Sequence, residues 1–122
     1  MFLVISTAYG QGNVTSNKEE ELIEYFADLD LESFEGKTAE SFLRSLKPAY
    51  KKFSMAPSRN HLYRGVLVFT YDYGIEVEIY LDEFRFANPN GICRKRNRGL
   101  AGKEIISTIQ VHNGIACIQG CT

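Results

Sequence analysis

Cysteine and histidine are scarce in this chain of 122 residues: three of the first, two of the second. The cysteines, Cys93, Cys117 and Cys121, are odd in number and form no C-x-x-C pair, so they make no disulfide framework. They are read as free thiols in a reducing compartment. Two histidines, His61 and His112, do not make up a closed zinc site. No apolar run approaches the ~20 residues that span a bilayer, so no membrane partner is expected. The apolar start, Met1 to Ala8, lacks a basic n-region and is read as a buried first strand rather than a secretory signal. Cytoplasmic localisation is the resulting expectation. Charge of one sign is also lacking, the net being −1.

What is present is an ordinary globular composition, 44% hydrophobic and 24% charged. The length suits one domain, residues 1–122. The charge alternates in blocks. Residues 18–40 hold nine acidic and two basic side chains, and residues 44–64 six basic and no acidic ones. Residues 72–83 hold five acidic and no basic ones, and residues 85–103 six basic and no acidic ones. Such blocks either pair within the fold or form separate faces with opposite fields.

Phe2 to Ile5 reads as a strand. Ser16 and Glu19 have capping-box spacing, and Leu22, Ile23, Phe26 and Leu29 recur at helical spacing, which predicts a helix over about 17–30. Thr38 is an N-cap for a second amphipathic helix through Phe42, Leu43, Leu46, Tyr50 and Phe53, kinked at Pro48 or stopping at Lys47 with a short turn of helix after it. Ser54 to His61 is read as a loop. The period then changes to two. Val66 to Tyr71 is a strand and Tyr73-Gly74 a tight turn. In the strand Ile75 to Asp82, Ile75, Val77, Ile79 and Leu81 take one face, and Glu76, Glu78, Tyr80 and Asp82 the other. Phe84 and Phe86 extend this segment or follow it. Asn88 to Gly91 is a turn and Arg94 to Gly102 a basic loop. Two last strands, Glu104 to Val111 and Ile115 to Gln119, are joined at His112-Asn113-Gly114. The expected fold class is α+β: an N-terminal strand, two helices, then an antiparallel meander of four to five strands with the helices on one face.

The search for chemistry returns little. There is no G-x-S-x-G. His61, flanked by Arg59 and Arg64, could move a proton beside a phosphate held by the arginines, the arrangement of a small nuclease or toxin domain. It has no second acid or base in its segment. Gly10-Gln11-Gly12 lacks the third glycine of a nucleotide fingerprint. The basic loop 94–98, Arg-Lys-Arg-Asn-Arg, suits phosphate contacts but lacks aromatics for base stacking. Glu76 and Glu78, about 7 Å apart on one strand face, have the spacing of metal ligands or an acid/base pair, but no histidine accompanies them and the turn residue Asp72 is the only further ligand expected nearby. The expectation is therefore no enzyme, no metal, no cofactor and no small-molecule ligand.

An acidic surface without catalytic groups suits an inhibitor of a cationic partner. Opposite fields speed the encounter, and desolvated charge-assisted hydrogen bonds slow release. The binding residues so nominated are Asp72, Glu76, Glu78, Tyr80, Asp82 and Glu83. The segment Tyr71-Asp-Tyr-Gly-Ile-Glu-Val-Glu-Ile-Tyr-Leu-Asp-Glu-Phe84 and the helix Ser41-Phe-Leu-Arg-Ser-Leu-Lys-Pro-Ala-Tyr50 resemble the small immunity proteins of bacterial contact-dependent growth inhibition systems. The resemblance covers under half the chain. It implies a cytoplasmic immunity protein that binds and neutralises one cognate toxin, often a tRNA-cleaving nuclease, without touching nucleic acid itself. The alternatives are the nuclease built on His61 and the nucleic-acid module built on residues 94–98.

Overall fold

The computed structural model describes residues 16–57, 63–87, 99–114 and 116–121. Helix α1 spans Ser16–Ala27, a 3-10 helix follows at Leu31–Phe34, and α2 spans Ala39–Ser45. Five strands come after them: β1 Lys52–Pro57, β2 Gly65–Thr70, β3 Ile75–Leu81, β4 Thr108–Asn113 and β5 Ala116–Gln119. They pair in chain order, each antiparallel to the next. The class is α+β, as the sequence suggests. The expected strand Phe2 to Ile5, Arg59 and His61, and the basic loop 94–98 lie outside the described residues.

Alternation sets the two faces of the sheet. Val77 of β3 stands beside Phe69 of β2 and Val111 of β4, and Ile79 beside Leu67 and Ile109. All six are buried. Phe26, Leu31, Ala39, Phe42 and Leu46 cover this face from the helical side. Aromatic edges lock the seam, with Phe26 on Tyr71 at 5.1 Å and Tyr50 on Phe69 at 4.9 Å between ring centres. Each such pair contributes about 0.5–1.5 kcal/mol beyond its buried area. Gln119 ties the last strand to α1 by donating Nε2–H to the Phe26 carbonyl at 2.7 Å. That carbonyl belongs to the helix's unpaired C-terminal turn.

The elements differ from expectation in four places. Thr38 does cap α2, its hydroxyl oxygen accepting from the Ser41 amide. The helix stops at Ser45, however, because Lys47 precedes Pro48 and is pushed out of helical backbone. No turn of helix resumes beyond it. Lys52–Pro57, read partly as helix and partly as loop, is the edge strand β1, with Phe53 and Met55 turned to the core and Lys52, Ser54 and Ala56 turned out. β3 ends at Leu81, and Phe84 folds back over Gly65, where a Cβ would collide with its ring. Strand β4 begins at Thr108, not Glu104, and runs on through His112 to Asn113. The turn expected at His112-Asn113-Gly114 has therefore moved along the chain, and His112 is a strand residue.

Glu104 is fully buried in the segment before β4. Its carboxylate accepts three backbone N–H groups at 2.8 Å, Oε1 from Arg85 and Oε2 from Phe86 and Ala87. The same segment is laced to the start of α2. Gly36 and Ala39 donate to the Ile106 and Glu104 carbonyls, and Ile106 donates back to Lys37, each at 2.8 Å.

The cysteine expectation is overturned for two of three residues. Cys117 and Cys121 form a disulfide. Four positions apart, they flank the tight turn at Gly120, which has φ 79°. Cys93 lies outside the described residues.

Candidate functional site

Three outward side chains of β3, Glu76, Glu78 and Tyr80, stand in a row on the sheet face away from the helices, all half-buried. The strand's alternation places them there, since a shift of one residue would send Val77 and Ile79 into water. The Tyr80 hydroxyl donates to Glu78 Oε1 at 2.8 Å, and its ring leans on Tyr63 at 5.2 Å. Burial, reinforced by the Glu78 carboxylate and by Tyr63, raises the Tyr80 phenol well above its ordinary value.

Across the ladder, His112 of β4 is the direct partner of Glu76. Its Nε2 lies 3.3 Å from Glu78 Oε1 and 3.8 Å from Glu76 Oε1. Its Nδ1 is buried with no hydrogen-bond partner among the described residues. The ladder between β4 and β5 carries an irregularity at Val111/His112. Such breaks in register commonly re-aim a side chain. Contrary to the expectation, a histidine does accompany the two glutamates. Sequence proximity hid the partner, because the residues between β3 and β4 separate them along the chain. Reading His112 as a turn residue removed it from any strand face.

The remaining nominated residues do not join this group. Asp72 lies at the β2–β3 turn, exposed, in an ion pair with Lys51 Nζ at 2.5 Å. Asp72 is the first cause of a raised Lys51 pKa, through its hydrogen bond and its charge. The turn itself has two successive positive φ angles, 62° at Tyr73 and 74° at Gly74. Asp82 and Glu83 follow the other end of β3. Both line a cavity of about 450 Å³ with Tyr63, Arg85 and Ile106, and Glu83 is paired with Arg85 at 3.1 Å. The block 72–83 is therefore no uniform acidic field: Asp72 and Glu83 face cations, and Glu76 and Glu78 face His112.

Comparison with family models, curated proteins and solved structures finds no match. The assignment of function rests on the chain's own geometry.

The other acidic block behaves differently. Glu20, Glu24 and Asp28 follow one another at four-residue spacing along α1 and its C-terminal turn, all exposed. Glu21, Glu32 and Glu35 are exposed nearby. Among the described residues none of these six is in an ion pair, whereas Glu40 pairs with Arg44 at 2.9 Å. Like charges at i, i+4 cost a helix about 0.2–0.5 kcal/mol per pair. Among the described residues the α1 stripe, opposite the helix's buried Phe26, has no cationic partner. No helix among the described residues is long and apolar enough to cross a membrane.

Proposed function

We propose that this chain is an inhibitor of the immunity-protein type, binding and neutralising a cognate toxin domain with a basic surface, probed first as a nuclease. The observation that carries the reading is the stripe Glu20–Glu24–Asp28, in no ion pair among the described residues, together with the exposed Glu21, Glu32 and Glu35. A fold that keeps repelling carboxylates together loses stability for them, and a cationic partner would recover it. Nuclease domains supply such a surface because their substrate is a polyanion. Fields of opposite sign raise the association rate and make it fall with salt. Asp72, Glu76, Glu78, Tyr80, Asp82 and Glu83 then form a second surface, already partly neutralised, and contribute less.

The sequence reading puts this work in the cytoplasm. The Cys117–Cys121 bond favours an oxidising compartment. Thiol labelling of the protein taken directly from cells decides between the two.

The test is co-expression with the toxin domain encoded next to this chain's gene. We expect protection of growth and a complex whose association rate drops with ionic strength. Glu20→Lys with Glu24→Lys should weaken binding at least tenfold while the protein stays folded. Glu76→Lys with Glu78→Lys should weaken it less. Absence of any complex with the neighbouring product overturns the proposal. RNA cleavage by the chain alone, lost in His61→Ala, would put the nuclease reading in its place.

A further inference from the structure

The outward face of the β3–β4 ladder has the donor set of a divalent transition-metal site. We propose that Glu76, Glu78 and His112 bind a first-row divalent cation, zinc being the ion tested, independently of the inhibitor reading.

One oxygen from each glutamate and one imidazole nitrogen lie within 4.8 Å of one another. Zinc holds nitrogen and carboxylate ligands at about 2.0–2.2 Å, so two ligands of a tetrahedral site stand about 3.3–3.6 Å apart. The measured separations from His112 Nε2, 3.3 and 3.8 Å, bracket that edge. The ligands come from two hydrogen-bonded strands, so the ladder that fixes the fold also fixes the site. Their burial is graded: the His112 and Glu78 side chains are about one-fifth exposed and Glu76 is 39% exposed. The open side at Glu76 leaves a coordination position for water or a partner's side chain.

Charge argues in the same direction. Two carboxylates side by side on a half-buried face repel each other when both are ionised. A divalent cation would neutralise both carboxylates. The Tyr80 hydroxyl already grips Glu78 Oε1, the outer hydrogen bond that orients a ligating carboxylate. His112 has no such support. With Nε2 on the metal the proton moves to Nδ1, which has no acceptor among the described residues. Missing outer partners weaken metal sites about 10–100-fold, so the affinity should be micromolar, not nanomolar. An imidazole ligand disfavours calcium and magnesium, which take oxygen. Cys117, opposite His112 in the ladder, is no thiolate donor while bonded to Cys121.

The experiment is titration of the full, oxidised chain carrying Cys93→Ser with ZnCl2 by calorimetry, with CoCl2 absorption as a second readout. One equivalent should bind with micromolar affinity, and cobalt should give visible bands of a four- or five-coordinate nitrogen–oxygen site. His112→Ala should abolish binding, and Glu76→Gln, which keeps side-chain volume, should weaken it at least tenfold. His61→Ala should leave it unchanged. Should His112→Ala fail to fold, Glu76→Gln and His61→Ala carry the decision alone. The proposal is overturned by no binding at 100 μM zinc, by equal binding in wild type and Glu76→Gln, by loss in His61→Ala, or by calcium binding as tightly as zinc. None of these outcomes bears on toxin binding through α1.

Discussion

At the scale of single residues, Glu104 shows how one side chain can hold a segment that makes no regular structure. Residues 82–87 have no strand partner, and the carboxylate supplies what a ladder otherwise would. Burying an unpaired amide costs about 1–3 kcal/mol, and Glu104→Ala exposes three amides to that cost. We expect a loss of about 3 kcal/mol or more in urea unfolding, partly recovered in Glu104→Gln, which keeps one acceptor oxygen. A loss below 1 kcal/mol would mean water replaces the carboxylate. Nothing in the sequence marks this residue. It follows Gly102-Lys103 at what reads as the start of a strand, and the amides it binds lie seventeen to nineteen positions away.

At the scale of elements, the sequence speaks clearly where one period runs without interruption. Ile75 to Leu81 alternates cleanly, and β3 has those bounds. Thr38 is legible as a cap because capping is a contact over three residues. Lys52–Pro57 is not legible as a strand, since its apolar residues continue the helical spacing of α2 in register. Only its pairing to β2 separates the two. The Glu76–Glu78–His112 group was half legible: the carboxylates follow from alternation, but the histidine depends on a cross-strand register that local spacing does not encode. The Cys117–Cys121 link was likewise missed, since an odd count argues against pairing while proximity in space decides it. The bond closes a loop of about five residues, which chain entropy values at about 2 kcal/mol. Reduction should therefore lower stability by no more than that and speed amide exchange first in β5. Equal acceleration throughout the chain would show that the link supports the whole fold.

At the scale of the whole molecule, the net charge of −1 conceals an uneven distribution. The cations at residues 44, 51 and 85 are bound to carboxylates, while the α1 stripe has none among the described residues. Screening should then relieve repulsion. Raising NaCl from 0.05 to 0.5 M should increase the melting temperature by about 2 °C, the equivalent of about 0.5 kcal/mol. Glu24→Gln should show a higher starting value and a smaller rise. A melting temperature that falls with salt would mean the charge blocks attract one another across the fold, which would remove the basis for a cationic partner.

The sheet's simple order has a consequence in time. Each strand from β1 to β5 pairs with its neighbour in the chain, so β1–β2, β2–β3 and β4–β5 can assemble by short loop closures as hairpins, whereas β3–β4 closes over residues 82–107. The lacing of residues 36–40 to residues 102–106, like the bond from Gln119 to Phe26, must close a far longer loop and gains little until the sheet exists. That seam belongs to the far side of the folding barrier. Damage to it, including the loss of Glu104, should leave the rate of folding nearly unchanged and appear as faster unfolding. The protein would then be vulnerable through the lifetime of its native state, not through its ability to reach it.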